Sequence, residues 1–489
     1  MESMSKNKKL VIVVIILFMS LVVFTTKFYG GADTFDYQDS AKFFTGDYPA
    51  KMRSSHSYLY GFVHSWIVEI TNSFIIFKIT SLVSLGLIIY SVYLISGRNK
   101  NALWLGLISP IVWYMGPWTS PIQIASLSFL WGYYFTKQYC LDNKINSLFY
   151  AGLLVGLSWA FWDGVLFFIP LFIISFFYNE KLIHTIYFSI FILLGSLPRI
   201  ILDLVLFDSI FFTPIRHILA SLALTFTGGF YNQGGLWGII PIIFVILFLP
   251  VLTYLLFTKK EIYQKNKKTS IFIFLSIILL IINSQIRFIL LIAPIILVTI
   301  SPHISKKQYT SSIIFSTILV LLVVNPYIIQ SKWDLGIDEK GVEIYSFVLN
   351  TDKIKLSDSF TKEIIDKDLQ KITTQIKDES FVIGDSPDSY RILANFYTGD
   401  KISEFVSVED YNLNKAGKLV IAQKELCSEV KINERRDFCF SISTRKAFND
   451  KTNYSSIRYG ISLGDNLGTD GFVLKQKYEM LSLWEKISP

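Results

Sequence analysis

From Met1 to Gln330 the chain is a succession of apolar runs of membrane-spanning length, separated by short polar loops. A hydrocarbon core about 30 Å thick is crossed by about 20 helical residues, and a helix satisfies its own backbone polar groups there. The candidate spans are 10–26, 74–95, 102–116, 121–136, 145–160, 164–178, 182–207, 236–257, 270–282, 288–300 and 311–329, about eleven in all. With 52% hydrophobic residues, 17% charged residues and a mean hydropathy of +0.45, most of the mass belongs in lipid. The chain is therefore expected to be a polytopic α-helical membrane protein.

The basic residues set its orientation. The net charge of +8 is spread over short loops instead of one face, which gives no reason to expect nucleic acid as a partner. Residues 1–9 are basic and 10–24 apolar, with no small-residue cleavage site behind them, the pattern of an uncleaved signal anchor. With the N-terminus in the cytoplasm, the inner segments hold Lys6, Lys8, Lys9, Arg98, Lys100, Lys137, Lys144, Lys181, Lys259, Lys260, Lys265, Lys267, Lys268, Lys306 and Lys307. The outer loops hold fewer, mainly Lys42, Lys51, Arg53, Arg216 and Arg287. This is the positive-inside pattern, and an odd number of spans then puts the C-terminal tail outside. The localisation implied is a multi-pass protein of the cell membrane with an extracytoplasmic C-terminal domain.

Composition turns polar near Ser331, dividing the chain into a membrane domain, 1–330, and an outer domain, 331–489. In the tail, strand-like runs at 380–383, 418–422, 472–474 and 479–484 accompany helical patterns at 359–376 and 389–397. They predict a small α/β domain. The stretch from Val382 to Ser389 reads as a strand, a turn and a capped helix start. Cys427 and Cys439 lie in this tail, where a disulfide could form, and Cys140 lies in an inner loop. No Walker loop, dinucleotide fingerprint or zinc-ligand spacing is present.

Three outer-facing places could carry chemistry. The first loop, 27–72, is long and charged, with Asp33, Asp36, Asp39, Asp47, Lys51, Arg53, His56 and His64. Asp33, Asp36 and Asp39 recur every third residue, close to one face of a helix. They could hold a divalent cation, although the chemistry considered below does not require one; no other metal site is expected. Asp163, in Trp162-Asp163-Gly164, is an ionisable residue between two apolar runs, either functional or the solvated tip of a helical hairpin. Arg287 opens another apolar run, where a guanidinium could hold a lipid phosphate or simply snorkel to the interface. A carboxylate to take a proton from an attacking hydroxyl and cations to stabilise a departing phosphate are what glycosyl transfer from a polyprenyl phosphate sugar requires.

The sequence also resembles the GT-C superfamily of integral-membrane glycosyltransferases, in particular the branch of protein O-mannosyltransferases and lipid A aminoarabinose transferases. Asp33, Tyr37, Ala41 and Gly46 fit the opening pattern of that family's first outer loop, although Thr34 stands where a second carboxylate is common. The stretch Arg53 to Tyr60, with His56, resembles the segment before the second helix but lacks its two prolines. Arg287-Phe288-Ile289-Leu290 with Pro294 resembles the late segment whose arginine lies by the carrier phosphate. The resemblance implies an inverting transfer with Asp33 as general base and Asp36 as its alternate or partner. It implies a substrate-binding set of Arg287, Lys51, Arg53, His56, Asp163 and Tyr37. The donor would be a polyprenyl-phosphate sugar and the acceptor a hydroxyl on a glycan, lipid or protein at the outer membrane face. A polysaccharide polymerase or ligase, and a transporter or flippase of lipid-linked sugars, are the competing classes. Against the transporter stand the folded tail and the lack of an internal repeat.

Overall fold

The computed structural model describes residues 6–26, 33–45, 56–71, 73–207, 209–215, 217–218, 266–282, 286–329, 362–376, 381–383, 405–407, 457–479 and 481–487. The helices in chain order are α1 (Lys6–Thr25), α2 (Asp33–Thr45), α3 (Leu59–Thr71), α4 (Ile75–Ile95), α5 (Lys100–Leu107), α6 (Pro110–Met115), α7 (Ile122–Asp142) and α8 (Ile145–Phe161). A 3₁₀ turn, Asp163–Phe167, leads into α9 (Phe168–Phe177), followed by α10 (Leu182–Gly195), α11 (Leu197–Phe207), α12 (Lys267–Ile282), α13 (Ile289–Ile300), α14 (Lys306–Ile329) and α15 (Lys362–Ile376). The strands are β1 (Phe381–Ile383), β2 (Phe405–Ser407), β3 (Tyr459–Leu463), β4 (Phe472–Lys477) and β5 (Leu481–Lys486).

Two compact units result. One is drawn from Met1–Gly30, Ser73–Val205 and Gly234–Ser359, the other from Gly31–Asn72, Leu206–Gln233 and Phe360–Pro489.

The first unit is built on apolar helices whose interruptions have local causes. The run read as one span at 102–116 is two short helices, because Pro110 cannot continue α5 and instead starts α6 behind an extended Ser109. The run at 182–207 bends by 53° between Gly195 and Leu197, beside Pro198. Among the described residues, Ile75–Ile95 and Lys306–Val324 are long and apolar enough to cross a membrane alone, and the bent pair makes a third if taken as one span. Lys9–Thr25, Ile145–Phe161, Asp163–Phe177 and Ile289–His303 are shorter apolar helices. The run at 236–257 lies outside the described residues.

Helix α13 is the centre of this unit. Nearly all its side chains are buried, and it touches α4, α5, α6, α7 and α12, as expected of a helix that is apolar all round. Glycines let the next layer approach closely. A Cβ on Gly156 of α8 would lie 2.0 Å from the Ile192 carbonyl oxygen of α10, and one on Gly195 would lie 2.0 Å from the Leu153 carbonyl oxygen. Only glycine permits that separation, the same logic by which small residues bring membrane helices together. Buried polar side chains turn to the backbone for partners. The Ser158 hydroxyl donates to the Ala125 carbonyl at 2.7 Å, and the Gln123 amide donates to Met115 and Trp118 at 2.9 and 2.8 Å.

In the second unit, α2 packs on α3, and Tyr58, Leu206 and Phe212 form a small core with Phe43, Phe44 and Ile215. The tail folds a five-stranded sheet in the order β2-β1-β3-β5-β4. Strand β1 pairs parallel with β2 and β3, and the β3–β5 and β5–β4 pairs are antiparallel. Helix α15 rests on β5, whose Leu481 N–H donates to the Asp368 carboxylate at 3.3 Å. Val382, Ile457, Leu467 and Phe472 make the core beneath Trp484. The expected strand at 418–422, the expected helix at 389–397, Cys427 and Cys439 lie outside the described residues. Strands β2 and β3 are additions to the sequence reading.

Candidate functional site

Asp33 is the first residue of α2, and Asp36 and Asp39 follow within it. Asp33, Tyr37 and Ala41 stand four residues apart, so they share one face of that helix. On that face Tyr37 and Ala41 are buried. The Tyr37 ring meets Tyr60 of α3 edge-on, with centroids 5.5 Å apart, and lies 5.6 Å from the His56 ring. Next to Ala41 the two helices come so close that a Cβ on Gly61 would lie 2.8 Å from the Ala41 nitrogen. The spacing of the first-loop pattern is thus the spacing of a helix-packing face, with the aspartate one turn before the buried tyrosine. The divalent-cation expectation rests on the side chains of Asp33, Asp36 and Asp39, which lie outside the described ones.

The same unit gathers imidazoles. His56 and His217 have ring centroids 5.9 Å apart. His64 is buried in α3, with Nδ1 2.7 Å from the Tyr60 carbonyl. A carbonyl can only accept, so Nδ1 carries the proton and Nε2 is the unprotonated nitrogen of the neutral ring. Burial pushes the His64 pKa below the usual imidazole value, against a raising effect of that hydrogen bond. Burial also pushes the Tyr60 phenol far up.

In the first unit, Asp163 is 1% exposed and opens the 3₁₀ turn after α8. It is not the solvated tip of a hairpin. Its Oδ1 forms an ion pair with Nη2 of Arg199, which is itself 1% exposed. Nη1 of Arg199 donates to the Trp159 carbonyl at 3.2 Å, and its guanidinium carbon lies 6.0 Å from the centre of the Trp159 ring. Backbone geometry explains the placement. Trp162 is extended (φ −141°, ψ 125°), ending α8 and turning the chain so that the Trp162 ring packs on Phe288, centroids 5.1 Å apart. Gly164 admits this, since a Cβ there would lie 2.5 Å from the Trp162 ring and 2.6 Å from Phe288. Arg287 immediately precedes Phe288 and is partly exposed.

Asp163 and Arg287 therefore belong to one end of the first unit, and Tyr37 and His56 to one aromatic group in the second. Lys51 and Arg53 lie outside the described residues. Two buried cations escaped the sequence reading. Arg199 is one. The other is Lys78, 3% exposed in α4, whose ammonium donates to the Thr26 carbonyl at 2.6 Å, just past the C-terminus of α1. Both interrupt apolar runs, and an ionisable residue inside such a run was the available signal.

Among the described residues the chain combines a bundle of apolar helices, with ionisable side chains buried at one end, and a five-stranded sheet in the tail. The particular likeness is to ArnT from Cupriavidus metallidurans. The chain matches the crystal structure of ArnT bound to undecaprenyl phosphate with a TM-score of 0.57 at 8% identity, over 99% of this chain and 98% of that one. It matches apo ArnT with a TM-score of 0.54 at 9% identity, over 98% of each chain. No family model and no curated protein sequence matches the chain. The resemblance expected from the sequence holds at the level of the fold.

Proposed function

We propose that this protein is an integral-membrane glycosyltransferase that moves a sugar from a polyprenyl-phosphate donor to an acceptor hydroxyl at the outer membrane face. The observation that carries the reading is the match over nearly the entire chain to ArnT, a GT-C lipid-linked aminoarabinose transferase captured with undecaprenyl phosphate. About eleven spans over 1–330, with the N-terminus cytoplasmic and the domain 331–489 extracytoplasmic, put a lipid-borne donor within reach of the bundle's outer end.

In this reading Asp33, or Asp36 in its place, takes the proton of the acceptor hydroxyl as its oxygen attacks the anomeric carbon. The bond from that carbon to the phosphate oxygen breaks with inversion, releasing polyprenyl phosphate. Arg287, helped by Lys51 or Arg53, holds the growing phosphate charge, which a guanidinium can do through two parallel hydrogen bonds. Tyr37, His56 and Asp163 bind the substrates. One inverting displacement needs no enzyme-bound intermediate.

The test is a panel of short-chain polyprenyl phosphate sugars offered to the purified protein in detergent, with release of polyprenyl phosphate as the readout. Release from one donor and none from the others supports the reading and names the sugar. A folded protein that releases nothing from any donor refutes it.

A further inference from the structure

The most completely enclosed ion pair among the described residues is Asp163 with Arg199, each 1% exposed. Such a pair is a costly way to hold helices together. Two charges must leave water, and a well-packed apolar pair of similar volume would often serve stability as well or better. Its geometry is correspondingly specific. Arg199 sits in the first turn of α11 just past the bend at Gly195, and it reaches back to two points, one in the last turn of α8 and one at the start of the 3₁₀ turn that follows. One is the Trp159 carbonyl, the other the Asp163 carboxylate. The Trp159 ring lies beside the guanidinium. Arg199 thus spans the point where α8 stops and the 3₁₀ turn begins, which is also where Trp162 meets Phe288 beside Arg287.

We propose that Arg199 is a positioning residue that fixes the Asp163 carboxylate, as an ion and in one orientation, so that Asp163 accepts a hydrogen bond from a hydroxyl or amine of the donor sugar. The inference rests on the glycosyl-transfer reading and adds to it a residue and a division of labour. Arg287 meets the phosphate, and the Arg199–Asp163 pair meets the sugar. A carboxylate held by a guanidinium stays ionised and turned one way, and it repels phosphate, so it suits the sugar end of the donor better than the phosphate end.

The experiment compares wild type with Arg199→Lys, Arg199→Met and the double variant Asp163→Leu/Arg199→Met, using the donor panel and thermal unfolding in detergent. Arg199→Met strands a buried carboxylate and should both unfold early and bind donor poorly. The double variant removes both charges and should unfold near the wild-type temperature. Its donor KM should nevertheless rise roughly tenfold or more, with kcat changing much less, as for a lost charge-assisted hydrogen bond in the bound state. Arg199→Lys keeps a cation beside Asp163 and should recover most of the donor affinity.

A double variant with the wild-type KM, or an Arg199→Lys variant as weak as Arg199→Met, would make the pair purely structural and overturn the proposal. If the double variant does not fold, Arg199→Lys decides alone. Wild type inactive on every donor is a separate outcome, because it refutes the glycosyl-transfer reading itself.

Discussion

The Trp162 ring lies 5.1 Å from the Phe288 ring, joining the end of α8 to the start of α13. Through this contact Asp163 and Arg287, each adjacent in sequence to one of the two rings, are held at one end of the first unit. Phe288 is also within ring contact of Phe167 and Phe168. Truncating Phe288 to Ala should cost about 3–5 kcal/mol of stability by opening a cavity. The milder Phe288→Leu should fold yet raise the donor KM severalfold, because the neighbouring Arg287 loses its fixed base. Thermal unfolding and donor kinetics in detergent separate the two effects. An unchanged KM in Phe288→Leu would detach the contact from substrate binding.

The α8–α10 interface makes a contrast between two glycines testable. Gly156→Ala drives a methyl group into the Ile192 carbonyl and must push the helices apart, so a marked loss of thermal stability is expected. Gly86, in the middle of α4, has nothing within 4 Å of the place a Cβ would occupy. Gly86→Ala should be neutral or stabilising by up to about 1 kcal/mol, the helix-propensity gain. Equal effects of the two substitutions would contradict the packing described.

Much of this was legible in the sequence, and the rest was hidden for identifiable reasons. Apolar runs gave the helical bundle because periodicity and length report the solvent a helix faces. Breaks inside the runs at Pro110 and Pro198 were missed, because a count of apolar residues ignores a missing N–H. Helix α3 was read as part of a loop because its charged neighbours dominated the stretch from Lys27 to Asn72. The first-loop pattern of Asp33, Tyr37 and Ala41 was recognised, but its physical meaning, a face of α2 against α3, needed the partner helix. Asp163 was singled out because it stood alone between apolar runs, and the structure buries it in an ion pair. Its partner Arg199 was not, since nothing in a sequence links positions 36 residues apart (199 − 163) across a helix bend.

Histidine 64 supplies a pH dependence whose sign follows from its burial. Its pKa in the folded protein lies below the usual imidazole value, so below about pH 6.5 the unfolded chain binds more protons than the folded one. Stability is then full above that pH and falls as the pH is lowered through the window beneath it. In His64→Phe this component of the acid loss should disappear. Unfolding temperature measured from pH 5 to 8 in both proteins checks it, and parallel curves would remove His64 as the cause.

Topology is open to chemical labelling at the turn before α8. Lys144 is well exposed there, with 75% of its side chain accessible. In a background lacking the native cysteines, Lys144→Cys should react with a membrane-impermeant maleimide only after the cells are permeabilised. Labelling of intact cells would reverse the orientation drawn from the positive-inside pattern.

In the proposed mechanism a carboxylate at the start of α2 activates an acceptor for transfer from a lipid-phosphate sugar. The most direct measurement follows labelled sugar from the donor panel in wild type and Asp33→Asn side by side, with Asp36→Asn as companion and unfolding temperature as the control for folding. Transfer by wild type is expected, and its loss, by roughly a hundredfold or more, in one aspartate variant that still folds. Full transfer by both aspartate variants would contradict it.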